Sequence, residues 1–338
     1  MKEHLFNYSW QLSDNYKTEG IEKNNLKVFS CFACGGGSTM GYKLAGYDVI
    51  GMNEIDKKIA EVYIENHKPK YSYIESIRSF KDRDDLPEEL YNLDILDSSP
   101  PCSTFSMAGQ REQNWGKAKK FKEGQEEQIL DTLFFDTIDL VDKLKPKVAV
   151  FENVKGILLG NAKDYVCKIK ENLEKINYHV EYFLLDASKM GVPQKRERVF
   201  FIAVRKDIFQ FCKVENALFG ESLNIDMIFN EKEIILKSFC NSLPKRKTQN
   251  YLEKRFGDIL LNLEKIAPTI TTKNRFWVTK DSLIDEKTLS IMGTFPLDFN
   301  FKKILPIYII GMSVPPIMMA QIALRLKYYI FDKIINKH

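Results

Sequence analysis

Apolar runs alternate with amphipathic segments along the first 205 residues of the chain. Short runs rich in Val, Ile, Leu and Phe are typical of parallel strands buried on both faces, whereas apolar positions at helical spacing predict helices between them. The alternation favours an α/β fold built on a doubly wound, mostly parallel sheet. The predicted strands are 26–33, 47–53, 71–77, the run that starts at Leu93, 147–151, 178–185 and 199–204, and the predicted helices are 39–44, 56–67, 129–144 and 163–176.

The pattern changes after residue 205. Residues 206–265 show no clear succession of strands and helices, which predicts a small, irregular second domain. Residues 266–338 are predicted to return to the first domain, because their last helix, at 317–330, is apolar enough to dock on it. We therefore expect a first domain at 1–205, a second at 206–265 and a return segment at 266–338.

The first predicted strand runs directly into a glycine-rich turn, Cys34-Gly35-Gly36-Gly37-Ser38, and then into a helix. Glycine lets the backbone approach a ligand closely, and the start of a helix offers free N–H groups, so the unit is typical of nucleotide sites. Glu54 follows the next strand, where a carboxylate can accept hydrogen bonds from both hydroxyls of a ribose. The alternatives are a tight structural turn and the similar turn of an NAD-dependent dehydrogenase.

The run that starts at Leu93 ends in Pro100-Pro101-Cys102. Cys102 is therefore predicted to lie at the carboxyl end of a strand, the edge where ligands bind in open α/β sheets, and the prolines fix the backbone before it. A thiol held there can be a nucleophile, although a buried structural cysteine is the alternative. Glu152 follows the next predicted strand and supplies a carboxylate to the same edge. An NAD-dependent dehydrogenase would need neither residue.

The composition is that of an ordinary soluble protein, with 44% of the 338 residues hydrophobic and 28% charged. No apolar run approaches the roughly 20 residues of a membrane span, and the N-terminus lacks the apolar core of a signal peptide. We therefore expect a cytoplasmic protein, without membrane contact, in which the six cysteines are free thiols. Cys31 and Cys34 form a C-x-x-C pair, but no second pair or His cluster accompanies it, so no metal is expected.

The net charge of +4 is small, but the basic residues are concentrated late in the chain. Residues 237–280 hold ten Lys or Arg against three acids, a larger excess than that of the whole chain. Phe256, Phe276 and Trp277 lie among these cations. Cations mixed with aromatic side chains favour a nucleic-acid-binding face over a merely solvated surface.

Seven short motifs follow one another along the chain: Phe32-Ala33-Cys34-Gly35-Gly36-Gly37, Asn53-Glu54, Pro100-Pro101-Cys102, Thr132-Leu133-Phe134-Phe135, Glu152-Asn153-Val154, Gln194-Lys195-Arg196-Glu197-Arg198-Val199 and Gly311-Met312-Ser313-Val314. In sequence and in order they resemble the motifs of the DNA (cytosine-5)-methyltransferases, bacterial and phage restriction-modification enzymes among them. The resemblance covers residues 26–205 and 266–331.

The resemblance implies methyl transfer from S-adenosylmethionine to carbon 5 of a cytosine flipped out of duplex DNA, with S-adenosylhomocysteine as product and no metal. In that chemistry the Cys102 thiolate adds to carbon 6, Glu152 acts at ring nitrogen 3, and Arg198 and Arg196 hold the cytosine carbonyl and the cysteine loop. The implied cofactor-binding residues are Phe32, Ala33, Gly35, Gly36, Gly37, Glu54, Ile55, Ser76, Ile77, Pro101, Leu133, Ser313 and Val314. The expected DNA contacts are Ser106, Gln110, Lys117, Lys119 and Lys120 in a loop at 103–128, with Lys245, Arg246, Lys247 and Arg275 beyond it.

Three positions depart from the family pattern: Ser30 replaces an acid, Cys34 a glycine and Met312 an amide near the amino-acid end of the cofactor. The resemblance also implies that 206–265 recognises the target sequence, and that the protein is a monomer with a cognate restriction endonuclease encoded nearby. An RNA (tRNA) cytosine-5 methyltransferase of the same fold is the main alternative, since the segment between Arg198 and Thr269 is short. A non-catalytic DNA-binding module is disfavoured, because it would need neither Cys102 nor Glu152.

Overall fold

A seven-stranded sheet forms the centre of the protein, for which the computed structural model describes residues 4–101, 132–160, 162–216, 220–240, 257–279 and 282–335. The strand order is β3-β2-β1-β4-β5-β7-β6. All neighbouring strands pair in parallel except at β7, which is antiparallel to both β5 and β6. The strands are β1 Lys27–Cys31, β2 Asp48–Asn53, β3 Tyr71–Tyr73, β4 Ile95–Ser98, β5 Val148–Val154, β6 Tyr178–Asp186 and β7 Glu197–Arg205.

Helices cover both faces of this sheet, and successive strand residues point into different cores. Val28 and Ile95 belong to one core, whereas their neighbours Phe29 and Leu96 belong to the other, so both faces of the central strands are buried. The predicted doubly wound, mostly parallel sheet is confirmed. The helices are α1 Gly37–Leu44, α2 Lys57–His67, α3 Ile77–Lys81, α4 Leu133–Leu144, α5 Ala162–Lys175, α6 Lys206–Cys212, α7 Glu286–Gly293, α8 Pro306–Met312, α9 Pro316–Leu326 and α10 Asp332–Ile335.

Two small sheets lie in the later part of the chain. The strands β8 Lys213–Asn216 and β9 Gly220–Leu223 form a hairpin, and β10 Asp258–Leu260 pairs in parallel with β11 Arg275–Thr279, which also pairs with β12 Ser282–Leu283. The second of these sheets therefore joins residues from both sides of the boundary expected at 265. The division of the chain into three parts stays a prediction.

The structure corrects the prediction of an exposed aromatic face in the basic region. Phe276 and Trp277 are each only 2% exposed and form part of the interior of the β10-β11-β12 sheet, while Phe256 lies outside the described residues. The aromatic side chains of β11 are therefore core residues, because the three successive residues 276–278 are buried, which places buried side chains on both faces of the strand.

A second correction concerns the apolar stretch near the end of the chain. Among the described residues, the helical stretch Pro306–Ile335 is long and apolar enough to cross a membrane, contrary to the expectation that no run approaches that length. However, 72% of its most apolar window is buried inside the protein, and α9 packs against α1. The stretch is therefore a core element of the protein, with most of its apolar side chains buried.

Candidate active site

The carboxyl ends of β1, β4 and β5 meet at one edge of the sheet, because these strands run in parallel. The antiparallel strand β7 begins at that same edge, so its first residues lie beside the last residues of β5. A cavity of about 260 Å³ opens there. It is lined by Phe32, Cys34, Glu54, Ile55, Ser99, Pro100, Pro101, Glu152, Asn153, Val154, Arg196, Arg198, Gly311 and Met312.

An ion pair crosses from β5 to β7 in this pocket. Glu152 is opposite Phe200 in the antiparallel ladder, and Arg198 lies two residues before Phe200 in β7, so the side chains of Glu152 and Arg198 are diagonal neighbours on one face. The Nε of Arg198 is 2.9 Å from Oε1 of Glu152, and each side chain is only 14% exposed. Burial lowers the pKa of Arg198 from its usual value, and the charge of Glu152 opposes that shift. A carboxyl group and a cation are thus held together beside Pro101.

Arg196 lines the pocket, but its guanidinium donates hydrogen bonds to backbone carbonyls. One terminal nitrogen donates to the carbonyl of Ile270 at 2.9 Å, and the other donates to the carbonyls of Gly311 and Ser313 at 3.0 and 2.9 Å. The residue is 2% exposed. Arg196 therefore joins the start of β7 to the return segment, and it is a positioning residue for the pocket wall.

Glu54 supports the glycine-rich turn from the end of β2. Its two carboxylate oxygens accept hydrogen bonds from the backbone N–H groups of Cys34, at 2.9 Å, and Asp56, at 3.0 Å. Burial raises the pKa of Glu54, and these two N–H donors oppose the shift because they favour the charged form. Since an oxygen that accepts one hydrogen bond keeps a second lone pair, the carboxylate can still accept from a ligand in the pocket.

The turn itself has an unusual backbone. Phe32, Cys34 and Gly36 have φ angles of +53°, +48° and +84°, all in the left-handed region. That region costs a residue with a side chain roughly 1–2 kcal/mol, and such conformations cluster at ligand sites. Cys34 therefore adopts a left-handed backbone that favours glycine, at a cost in conformational energy. Its Sγ accepts a long hydrogen bond of 3.6 Å from the Ser313 hydroxyl.

The return segment lies in close contact with two glycines of the turn, Gly35 and Gly37. A Cβ at Gly35 would overlap the side chain of Ile309, and a Cβ at Gly37 would overlap the carbonyl oxygen of Val314. Glycine is thus needed at 35 and 37 because another part of the protein occupies the space of a side chain. Ser313 and Val314 act on the turn from behind, although neither lines the cavity.

Several residues expected to bind the cofactor lie outside the cavity lining. Ser76 caps α3 by accepting from the N–H of Ser79 at 3.1 Å, while Ile77 and Leu133 are buried at 2% and 1% exposure. Cys34, Asn153, Gly311 and Met312 line the cavity but were not among the predicted site residues. The sequence carried a signal for each of these four, because each one belongs to a matched motif.

Cys102, the predicted nucleophile, lies outside the described residues, and Pro101 is the last residue described before it. The predicted DNA contacts Ser106, Gln110, Lys117, Lys119, Lys120, Lys245, Arg246 and Lys247 lie outside them as well. Arg275 is described, and its guanidinium forms a two-pronged ion pair with Asp258, at 2.6 and 2.8 Å. The Asp258 side chain is only 1% exposed, so Arg275 stabilises the small sheet.

No group of three or more His, Cys, Asp or Glu that could hold a metal ion occurs in the described part of the chain. The cavity lining itself offers the carboxylates of Glu152 and Glu54 and the guanidinium groups of Arg196 and Arg198.

A nucleotide-type turn and an acid–cation pair at one sheet edge define a Rossmann-like enzyme class. Within that class, the family model for C-5 cytosine-specific DNA methylases matches residues 26–276. The match extends over more than half of the chain, and the protein belongs to this family.

Individual relatives agree with the family. Type II methyltransferase M.FnuDI of Fusobacterium nucleatum is 36% identical over 185 residues, which cover 54% of this chain and 48% of that protein. Type II methyltransferase M.NgoPII of Neisseria gonorrhoeae is 34% identical over 255 residues, covering 72% and 69%. The chain spans about half the length of several of its curated relatives, M.FnuDI among them.

A solved structure shares the fold. A candidate DNA modification methyltransferase encoded within an Escherichia coli prophage matches with a TM-score of 0.65 at 19% identity, covering 90% of this chain and 99% of that one. At this identity the likeness shows the fold alone.

Ser30 stands where the family pattern has an acid, and it contacts an acid, Asp97, on the neighbouring strand. Ser30 on β1 pairs in register with Asp97 on β4, and its hydroxyl donates to Oδ2 of Asp97 at 2.9 Å. Asp97 is 2% exposed and accepts a longer bond, 3.4 Å, from the Tyr42 hydroxyl of α1. Burial raises the pKa of Asp97 to about 7, the charge of Glu152 adds to the shift, and the hydroxyls of Ser30, Ser38 and Tyr42 oppose it.

Asp97 should make folding stability depend on pH. Its ordinary pKa is 3.8 and its folded pKa is about 7, so folding takes up a proton between these values and stability falls as pH rises through that window. In Asp97→Asn this contribution is absent. We expect the free energy of unfolding of the wild type to fall by up to about 4 kcal/mol more than that of Asp97→Asn between pH 4 and pH 7, measured by urea unfolding.

Asp48→Asn is the matched control, because Asp48 is the exposed first residue of β2. Its stability should follow the wild type across the same pH range. Parallel curves for the wild type and Asp97→Asn would contradict the assignment of a protonated Asp97.

Proposed function

We propose that this protein transfers a methyl group from S-adenosylmethionine to carbon 5 of a flipped-out cytosine in a specific duplex DNA sequence, through a covalent adduct with Cys102. The observation that carries the proposal is the position of Glu152 and Arg198 in one pocket with Pro100, Pro101 and Glu54. Membership of the C-5 cytosine-specific DNA methylase family supports the reaction and its substrate.

Cytosine carbon 5 is a poor nucleophile, and the proposed residues change that. The Cys102 thiolate adds to carbon 6, so that electron density reaches carbon 5, and Glu152 offsets the charge that develops on the ring by a hydrogen bond or proton at nitrogen 3. After methyl transfer, a base such as a solvent water takes the proton from carbon 5, and the electron pair of that C–H bond re-forms the 5,6 double bond as the thiolate leaves carbon 6. The aromatic ring is thereby restored. Arg198 holds Glu152 in place and offers its guanidinium to the cytosine carbonyl.

The pocket suits a nucleoside cofactor. Glu54 lines it with a carboxylate that can accept from ribose hydroxyls, and Phe32 and Ile55 offer apolar surface to a base. S-adenosylmethionine, when bound there, supplies an electrophilic methyl group. Of the residues that we assign to the cofactor, Phe32, Glu54, Ile55 and Pro101 line the pocket. The others lie outside its lining and are assigned from the family resemblance alone: Ala33, Gly35, Gly36, Gly37, Ser76, Ile77, Leu133, Ser313 and Val314.

The substrate side of the proposal rests on sequence. Target recognition belongs to 206–265, with backbone contacts from Lys245, Arg246 and Lys247 and closure over the flipped base by the loop at 103–128. The names of M.FnuDI and M.NgoPII, both Type II methyltransferases, favour a restriction-modification role with a cognate endonuclease. A cytoplasmic monomer is proposed with it.

Incorporation of labelled methyl from S-adenosylmethionine tests the function directly. We expect transfer into duplex DNA, none into transfer RNA, and none from Cys102→Ser because the nucleophile is lost. Cys167→Ser is the control, since Cys167 is an exposed thiol on α5. Methylation of transfer RNA alone would establish the alternative substrate, and full activity of Cys102→Ser would overturn the covalent mechanism.

Substitution of the two acids of the pocket should affect different steps, turnover for Glu152 and cofactor binding for Glu54. Glu152→Gln should lower turnover on the order of 10²-fold or more with little change in cofactor affinity, because the shape is kept and the acid is lost. Glu54→Ala should mainly weaken cofactor binding, measured by calorimetry with S-adenosylhomocysteine.

Glu197→Gln is the control for Glu152→Gln, because Glu197 is a neighbouring exposed acid that pairs with Lys155 at 2.9 Å. Its turnover should stay near that of the wild type. If Glu152→Gln and Glu54→Ala lost cofactor affinity equally, this division of roles would be wrong.

A further inference from the structure

The described residues 4–25 precede the family match, which starts at residue 26, and they pack behind the cofactor turn. Trp10 donates from its indole nitrogen to the carbonyl of Thr294 at 2.9 Å. Asp298 accepts from the N–H groups of Leu12 and Ser13 at 2.6 and 3.0 Å. These bonds dock the N-terminal segment on the chain that follows α7.

Tyr16 connects the docked N-terminal segment to His67, the last residue of α2, by a hydrogen bond. The hydroxyl of Tyr16 is 3.3 Å from Nδ1 of His67, and Nε2 of His67 is 3.0 Å from the carbonyl oxygen of Gly35. His67 is 6% exposed, and burial lowers its pKa to about 3, so the ring is neutral at physiological pH. The chain Tyr16–His67–Gly35 therefore ends on the glycine turn itself.

Neutrality fixes the direction of both hydrogen bonds. A carbonyl oxygen only accepts, so Nε2 of His67 carries the proton and donates to Gly35. Nδ1 is then the acceptor, and the Tyr16 hydroxyl must donate to it. Burial raises the pKa of Tyr16 above its usual value, which keeps that proton in place.

The surrounding contacts leave His67 little freedom. The ring of Tyr63 meets it edge-on at 4.6 Å, and Nζ of Lys43 donates to its carbonyl oxygen at 3.2 Å. A Cβ at Gly36 would overlap Nε2 of His67, so the imidazole lies directly against the turn. A small shift of His67 therefore moves the Gly35–Gly36 peptide unit, to which the bonded carbonyl belongs. Two peptide units earlier in the same turn lies the Cys34 N–H that binds Glu54.

We propose that Tyr16 and His67 are positioning residues for the cofactor turn, so that docking of the N-terminal segment sets the affinity for the cofactor. Tyr16 orients the imidazole, and the imidazole holds the Gly35 carbonyl, which keeps the Cys34 peptide aligned on Glu54. This inference rests on the proposed function, because it takes the ligand of the turn to be S-adenosylmethionine.

The test compares two deletions of a single hydroxyl within the same segment. Tyr16→Phe keeps the ring that packs against Trp10 at 5.7 Å, whereas Tyr8→Phe is the matched control, whose ring contacts Phe239 at 6.1 Å. We expect the calorimetric Kd for S-adenosylhomocysteine to rise about 3- to 10-fold in Tyr16→Phe, as for one lost hydrogen bond, and to stay unchanged in Tyr8→Phe. The KM for S-adenosylmethionine should rise more than kcat falls.

Substitutions at His67 separate the hydrogen bond from packing. His67→Gln can still donate to Gly35, so its affinity should lie between that of the wild type and that of His67→Phe, which keeps a ring without a donor. Equal Kd values for Tyr16→Phe and the wild type, or equal losses in Tyr16→Phe and Tyr8→Phe, would overturn this inference alone. A wild-type protein that binds no S-adenosylhomocysteine would overturn the proposed function, and this inference with it.

Discussion

The ion pair between Glu152 and Arg198 depends on one antiparallel strand in an otherwise parallel sheet. Because β7 runs against β5, its first residues lie at the edge where the other central strands end. A parallel strand in that place would carry Arg198 to the opposite edge. Each side chain is 14% exposed, and removing one partner of a buried pair leaves an uncompensated charge, which typically costs about 3–5 kcal/mol. The direction of β7 therefore decides whether the buried charge of Glu152 has a partner at the proposed catalytic edge.

Residues from the last part of the chain complete the same site. Arg196 is bound to carbonyls of residues 270, 311 and 313, and the side-chain amide of Gln194 donates to the carbonyl of Met292 at 2.8 Å. Ile309 and Val314 occupy the space next to the glycines of the turn. The last part of the chain therefore shapes both halves of the pocket, which explains why so much of α9 is apolar and buried.

The alternation of apolar and amphipathic segments was enough to predict the sheet, the glycine turn and the strand ends that carry Glu54 and Glu152. It could not show that β7 is antiparallel, because a buried strand has the same apolar pattern in either direction. The Ser30–Asp97 pair was missed for a related reason, since register between strands is not visible in a single run of residues. Phe276 and Trp277 were misinterpreted because an aromatic residue among cations is equally suited to a core and to a ligand face.

The central claim is that the thiol of Cys102 attacks a cytosine in the pocket that holds Glu152 and Arg198. Duplex DNA with 5-fluorocytosine at the target position tests it. Release of the cysteine requires loss of a proton from carbon 5, and because fluorine replaces that hydrogen, the covalent adduct persists. With S-adenosylmethionine present, peptide mass spectrometry should find the nucleotide bound to Cys102. An adduct on another residue, or efficient methylation of ordinary DNA with no adduct on the fluorinated duplex, would contradict the account.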